Sequence, residues 1–198
     1  MIASIARLRP ITHRDVLAIA VPILLSNVTT PLVGLVDTAV IGQLGEPALI
    51  GGVAIGTMIF SLLFWSFGFL RMGTSGLTAQ ADGAGHASEI AATLQRALLI
   101  AVVVGIGLIG LGGPIATLAF QLIEGSAAAE AAARTYYDIR LLSAPAVLAN
   151  YALLGWFIGL GKASTAFVLQ LLLNGLNLGL SVVLVLWANY AVAGVGVA

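Results

Sequence analysis

Long uncharged apolar runs alternate with short polar connections along this chain, and the runs are too long for strands or ordinary core helices. A membrane-crossing helix needs about 20 mostly apolar residues. Five segments meet that length, at 16–44, 47–72, 90–123, 134–161 and 163–187. Most charges fall at or near the ends of these runs, so they serve as punctuation between helices. Trp187, Asn189 and Tyr190 then form an aromatic and polar break of the kind found at a membrane interface, and a sixth apolar run occupies 191–198. At 1.5 Å per residue it reaches only about 12 Å into a hydrocarbon core about 30 Å thick. Backbone ending in lipid would leave amides and carbonyls unpaired, so the expectation is a fragment of a longer polypeptide, cut inside a helix. The expected fold is all-α, a polytopic membrane helical bundle with five full transmembrane helices and the start of a sixth. Residues 1–15 form a cytoplasmic amino-terminal segment and 16–198 the bundle.

Composition supports that reading. The chain is 60% hydrophobic, with a mean hydropathy of +1.10 and only 8% charged residues, where a soluble domain carries about 25%. So few charges cannot cover a water-facing surface, so membrane lipid is the expected surrounding. Eight basic and eight acidic residues cancel, which argues against a nucleic-acid partner, since phosphate binding needs clustered Lys and Arg. Basic residues also orient the bundle. Arg7, Arg9, Arg14, Arg71, Arg96 and Lys162 fall on one side, which is then cytoplasmic together with the amino terminus. Glu46, Glu124, Glu130 and Asp138 fall on the other, with Arg134 and Arg140 as exceptions near the start of the fourth span.

Asp37 is the single ionisable residue between Asp15 and Glu46. A carboxylate inside a spanning helix costs roughly 2.5 to 3.5 kcal/mol on insertion scales, and such residues usually line ion, proton or substrate paths. No Lys or Arg is expected within a span interior, so Asp37 is read as a proton-exchanging group. Asn27, Thr30, Gly34 and Asp37 recur at spacings of three, four and three, which places them on one helix face about 80° wide. Pro31 removes the amide that would bond the Asn27 carbonyl, so a hinge is expected beside this face. In the fifth span Gln170, Asn174, Asn177 and Ser181 form a second stripe, about 60° wide. It is read as cavity lining, with interhelical hydrogen bonding as the plainer alternative.

Other patterns carry less. Gly105, Gly107 and Gly110 have the spacing of a dinucleotide fingerprint, but they lie inside an apolar span with no strand before them, so close helix packing is expected. His13 and His86 stand in polar connections without neighbouring ligands, and no metal site or cofactor is expected. Tyr151, Trp156 and Phe157 are read as packing or interface aromatics. No Ser-His-Asp or Cys-His arrangement is evident in the spans, so an enzyme is not expected.

Three segments carry a family likeness. LVDTAVIGQLG at 35–45, FGFLRMGTSGLTAQADGAG at 67–85 and LNGLNLGL at 173–180 resemble the MATE (multidrug and toxic compound extrusion) transporters, most closely their DNA-damage-inducible branch. The family has twelve helices in two six-helix bundles, so the resemblance implies the amino-terminal lobe, with the carboxy-terminal bundle of the same polypeptide missing. It implies a secondary active antiporter in a plasma membrane (the bacterial inner membrane), exporting amphipathic or cationic small molecules in exchange for H+ or Na+. Asp37 matches the first-helix acid used for cation or proton coupling, and Asn177 the fifth-helix asparagine of the same cavity. Asn174 falls at a position often polar in the family. One departure is visible: where several relatives have a second aspartate, this chain has Ser181. Two rival readings are a lipid-linked precursor flippase and a non-transporting scaffold or half-transporter. The flippase would need basic residues in its cavity, and none are expected here.

Overall fold

A computed structural model describes residues 12–123, 125–187 and 190–197, leaving out the side chains of Asp15, Thr30 and Leu32. Among the described residues the chain is helical, with no strand: α1 (His13–Gly42), α2 (Pro47–Trp65), α3 (Gly68–Gly83), α4 (Ala87–Gly110), α5 (Gly112–Leu122), α6 (Ala127–Leu141), α7 (Ala144–Gly159), α8 (Ala163–Val182), a π-helical turn (Val183–Trp187) and α9 (Ala191–Val197). Four segments are long and apolar enough to cross a membrane, and α6 with α7 makes a fifth if the bent pair is one span. The all-α membrane bundle expected from the apolar runs is therefore the fold.

Helix ends differ from the expected boundaries in instructive ways. The second element does not stop near residue 72; after a break at Ser66 and Phe67 it continues as α3 to Gly83. Charges mark where a segment meets polar surroundings, but backbone hydrogen bonding continues past that point. The third run is divided at Leu111, where Gly112, Gly113 and Pro114 follow in succession and proline has no amide to continue the ladder. The fourth begins seven residues earlier than 134, at Ala127, where the Ser126 hydroxyl accepts from the Ala129 amide as an N-cap. It bends by 57° between α6 and α7. Pro145 sits in the first turn of α7, where its ring collides with a straight continuation of α6.

Small residues let the helices approach closely. α2 packs on α6, α3 and α4 on α7, and α1 on α8. A side chain at Gly52 would meet Ala132 and the Ala133 backbone, and one at Gly155 would meet the Arg71 carbonyl oxygen. Lipid tails supply no hydrophobic drive between helices, so contacts of this kind hold such bundles together. Gly105 packs against Pro145, as expected of a packing glycine, whereas Gly107 and Gly110 face open space. An aromatic cluster fills the α2–α6 seam: Phe60 stacks on Phe64 and on Tyr137, with centroids 5.5 and 5.2 Å apart, and Tyr136 meets Phe60 edge-on. The rest of the chain buries only 6% of the most apolar stretch of α1 and 11% of that of α8. These two helices therefore turn most of their surface outward, to lipid or to another bundle.

Candidate functional site

The polar residues of α1 and α8 meet along the seam between the two helices. Near its α9 end, Asp37 is 4% exposed and Ser181 fully buried, and the Ser181 hydroxyl donates to Asp37 Oδ1 at 2.8 Å. The carboxylate thus points at α8 and not at lipid. Further along, the Asn174 amide donates to Thr29 Oγ1 at 3.0 Å, and Thr29 in turn donates to the Ser26 carbonyl at 2.8 Å. Gln170 Nε2 donates to Asn174 Oδ1 at 2.8 Å, and Asn150 on α7 donates to Gln170 Oε1 at 3.3 Å. A hydrogen-bonded line therefore runs from α7 through α8 to α1. One turn before Ser181, Asn177 Oδ1 is buried without a hydrogen-bond partner, and so is Asn150 Oδ1.

The α8 stripe lies as the spacing predicts, with Gln170, Asn174 and Ser181 all engaged. The α1 face is turned. Its inward residues are Ser26, Thr29 and Asp37, which at 100° per residue lie roughly 75° around the helix from the face of Asn27, Thr30, Gly34 and Asp37. Asn27 is exposed yet lines a small cavity beside Ser26, as cavity lining was expected of it; a side chain at Gly34 would meet open space, and the Thr30 side chain lies outside the described residues. Ser26 and Thr29 escape a polarity count because serine and threonine can satisfy themselves on the preceding turn, as Ser26 does by donating to the Pro22 carbonyl at 2.9 Å. α1 is helical through both Pro22 and Pro31. Asn177 makes no hydrogen bond to Asp37. Asn189 and the amino-terminal Arg7 and Arg9 lie outside the described residues.

Two arginines correct the expectation of span interiors and cavities without basic residues. Arg140, half-buried in the last turn of α6, lays its guanidinium over the Tyr136 ring at 5.5 Å and is close enough for its charge to act on Asp37. Because α6 begins at Ala127, Arg140 stands thirteen residues into a helix, just before the 57° bend. Arg71 on α3, also half-buried, lines a small cavity with Ser26, Asn27 and Gln170. Its place at the end of an uncharged run suggests a boundary charge, but helix α3 continues beyond it.

His13 and His86 are exposed, and among the described residues no group of three or more His, Cys, Asp or Glu could hold a metal ion. Trp156 packs on Phe157 edge-on at 5.1 Å and donates to the Ile90 carbonyl at 3.1 Å, which fastens α7 to α4.

Comparison with known proteins places the chain in a family. The chain is similar to DNA damage-inducible protein F of Escherichia coli, at 46% identity over 180 residues, spanning 91% of this chain and 39% of that protein. It is similar to a probable multidrug resistance protein NorM of Synechococcus, at 32% identity over 165 residues, spanning 81% of this chain and 35% of that protein. Among solved structures it resembles an outward-facing multidrug resistance MATE family transporter of the MOP superfamily, with a TM-score of 0.83 at 21% identity over 92% of this chain and 40% of that one. It also resembles a MOP superfamily transporter from Pyrococcus furiosus, with a TM-score of 0.82 at 21% identity. The chain thus spans about 40% of the length of these relatives. A model of the MatE family matches residues 22–183, and the chain belongs to that family.

Proposed function

We propose that this chain forms the amino-terminal lobe of a secondary active antiporter that exports amphipathic or cationic small molecules in exchange for H+ or Na+. The observation that carries the reading is the Ser181–Asp37 hydrogen bond, which places a buried carboxylate in the seam between two membrane-length helices. A lone acid inside a span is costly and is usually kept on an ion or substrate path. The names of the relatives, multidrug resistance proteins among them, point the same way.

In this mechanism Asp37 holds one positive charge at a time. With a cationic compound bound, the ionised carboxylate balances it. A proton or Na+ arriving at Asp37 neutralises the same group and weakens the hold on the compound, which leaves toward the exterior. Ser181 donates to the ionised carboxylate, and a proton or Na+ there would redirect that hydroxyl. Asn177 Oδ1, an unpartnered acceptor one turn away, is available to a bound cation. With no second carboxylate at position 181, the site exchanges single charges. Pro31 lacks the amide that would tie it to Asn27, so α1 flexes there as the carboxylate changes state. Alternating access comes from one bundle rocking against another, with a carboxy-terminal bundle as the partner. The amino terminus lies on the cytoplasmic side of a bacterial inner membrane.

The test is efflux of a cationic dye from proteoliposomes holding the chain joined to its carboxy-terminal bundle, driven first by a pH gradient and then by a sodium gradient. Asp37→Asn should abolish export under whichever gradient drives the unmodified protein. Unchanged export would remove Asp37 from the mechanism.

A further inference from the structure

Arg71 has no part in the Asp37 site, and we infer that it anchors a second site, one that takes the oxyanion head, carboxylate or phosphate, of an amphipathic molecule. Arg71 is half-buried as a residue, and its guanidinium has no hydrogen-bond or ion-pair partner among the described residues, where the single ion pair joins Arg96 to Glu89 at the surface, 3.1 Å apart. A cation partly shielded from water gains from an anion beside it, and arginine presents a planar fork of donors matched to carboxylate or phosphate.

The surroundings fit such a head. Arg71 shares its cavity with the Asn27 amide and with Gln170, whose Nε2 spends one hydrogen on Asn174 and keeps a second. The Tyr151 phenol lies within electrostatic range of the guanidinium. Ser26 also lines the cavity, and Ile23, Leu154 and Ile158 stand beside these polar groups, placed to accept hydrocarbon. Its volume of about 30 Å³ exceeds the roughly 10–15 Å³ that a single water needs. An oxygen of the head can enter beside the guanidinium.

Position also fits. The cavity reaches from Ala163, the first residue of α8, to Gln170, so it lies within about 10 Å of the α7–α8 connection. That connection carries Lys162 and belongs to the basic side of the bundle, and the depth suits a head at the boundary between lipid headgroups and hydrocarbon. Along α8, Gln170 and Ser181 are separated by about 16 Å, so the two sites are distinct. Backbone packing holds Arg71 in place, because Gly155 lets α7 rest directly on the Arg71 carbonyl.

The test is calorimetric titration of the purified chain in dodecyl maltoside with three probes: dioctanoyl phosphatidylglycerol, octanoate and inorganic phosphate. Saturable binding of one or both amphiphiles is expected, and Arg71→Gln should weaken it by about 10- to 100-fold, the range for a lost charge-assisted hydrogen bond. Arg96→Gln, a surface arginine on the same side, should leave it unchanged. Should Arg71→Gln fail to fold by circular dichroism, Arg71→Lys carries the test, since it keeps the charge and loses the fork, and it should bind more weakly than the unmodified chain. Inorganic phosphate binding as tightly as either amphiphile would assign the site to free anions and overturn the amphipathic part. Equal affinity in the unmodified chain and the Arg71 variants, or saturable binding of none of the three probes, would overturn the proposal.

Discussion

If the α1–α8 seam is held by polar contacts, its energy should appear in a double-mutant cycle between Asn174 and Thr29. Asn174 accepts from Gln170 at 2.8 Å and donates to Thr29 at 3.0 Å, so Asn174→Leu removes two hydrogen bonds while keeping the branching and heavy-atom count of the side chain. Interhelical hydrogen bonds in membrane proteins average about 0.6 kcal/mol, with a maximum near 1.7 kcal/mol. The single variant should therefore lose roughly 1.2 kcal/mol and at most about 3.4 kcal/mol. Thr29→Val removes the second of these together with the Thr29 hydroxyl's own bond to the Ser26 carbonyl, and leaves the Gln170–Asn174 bond in place; the local bond is lost equally with Asn or Leu at 174 and cancels in the cycle. The coupling energy between the two substitutions should then fall at about 0.6 to 1.7 kcal/mol. Equilibrium unfolding in mixed detergent micelles measures all four corners of the cycle. Coupling of zero would mean that the two side chains do not meet in the membrane, and the seam would lose its basis.

Other consequences follow from single contacts. Ser181→Ala leaves the Asp37 carboxylate without its hydroxyl donor and should cost roughly 1.5 to 3 kcal/mol if the carboxylate is ionised, read by the same unfolding assay. Gly155→Val places a branched side chain against the Arg71 carbonyl and Thr74, and overpacking of this kind should destabilise by about 1 to 3 kcal/mol; an unchanged midpoint would deny the close α3–α7 contact. Tyr137→Phe removes the hydrogen bond to the Gly112 carbonyl at 3.2 Å and should cost about 0.5 to 1.5 kcal/mol. Pro31→Ala restores an amide that can bond the Asn27 carbonyl, so it should raise the unfolding midpoint while slowing dye efflux; unslowed efflux would remove the hinge.

Much of this was legible in the residues because a lipid-embedded helix must satisfy its backbone internally and show lipid an apolar surface. Apolar runs therefore locate helices well, and the α8 stripe at spacings of four, three and four lands on the seam. What misled were signals with two physical meanings. Arg71 ends an uncharged run, yet GFLRMGTSGLTAQADG continues as helix, because hydrogen bonding does not stop where charge begins. Arg140 has the sequence signature of an interface residue, yet it stands half-buried in the last turn of a helix that starts at Ala127; the Ser126 N-cap is the available sign. On α1, Asn27 lines a cavity as its polarity suggests, while the contact with α8 is made by Thr29, next to the buried Ser26. Hydroxyls that bond their own backbone carry little polarity in a sequence, and only the position of α8 reveals which of them turn inward.

The central claim is that one carboxylate exchanges one positive charge, and proton release tests it most directly. In weakly buffered detergent solution, adding a cationic dye or Na+ to the chain joined to its carboxy-terminal bundle should acidify the medium as the arriving cation displaces a proton from Asp37. Asp37→Asn should release none. Equal acidification by both proteins would place the exchanging proton elsewhere and contradict the account.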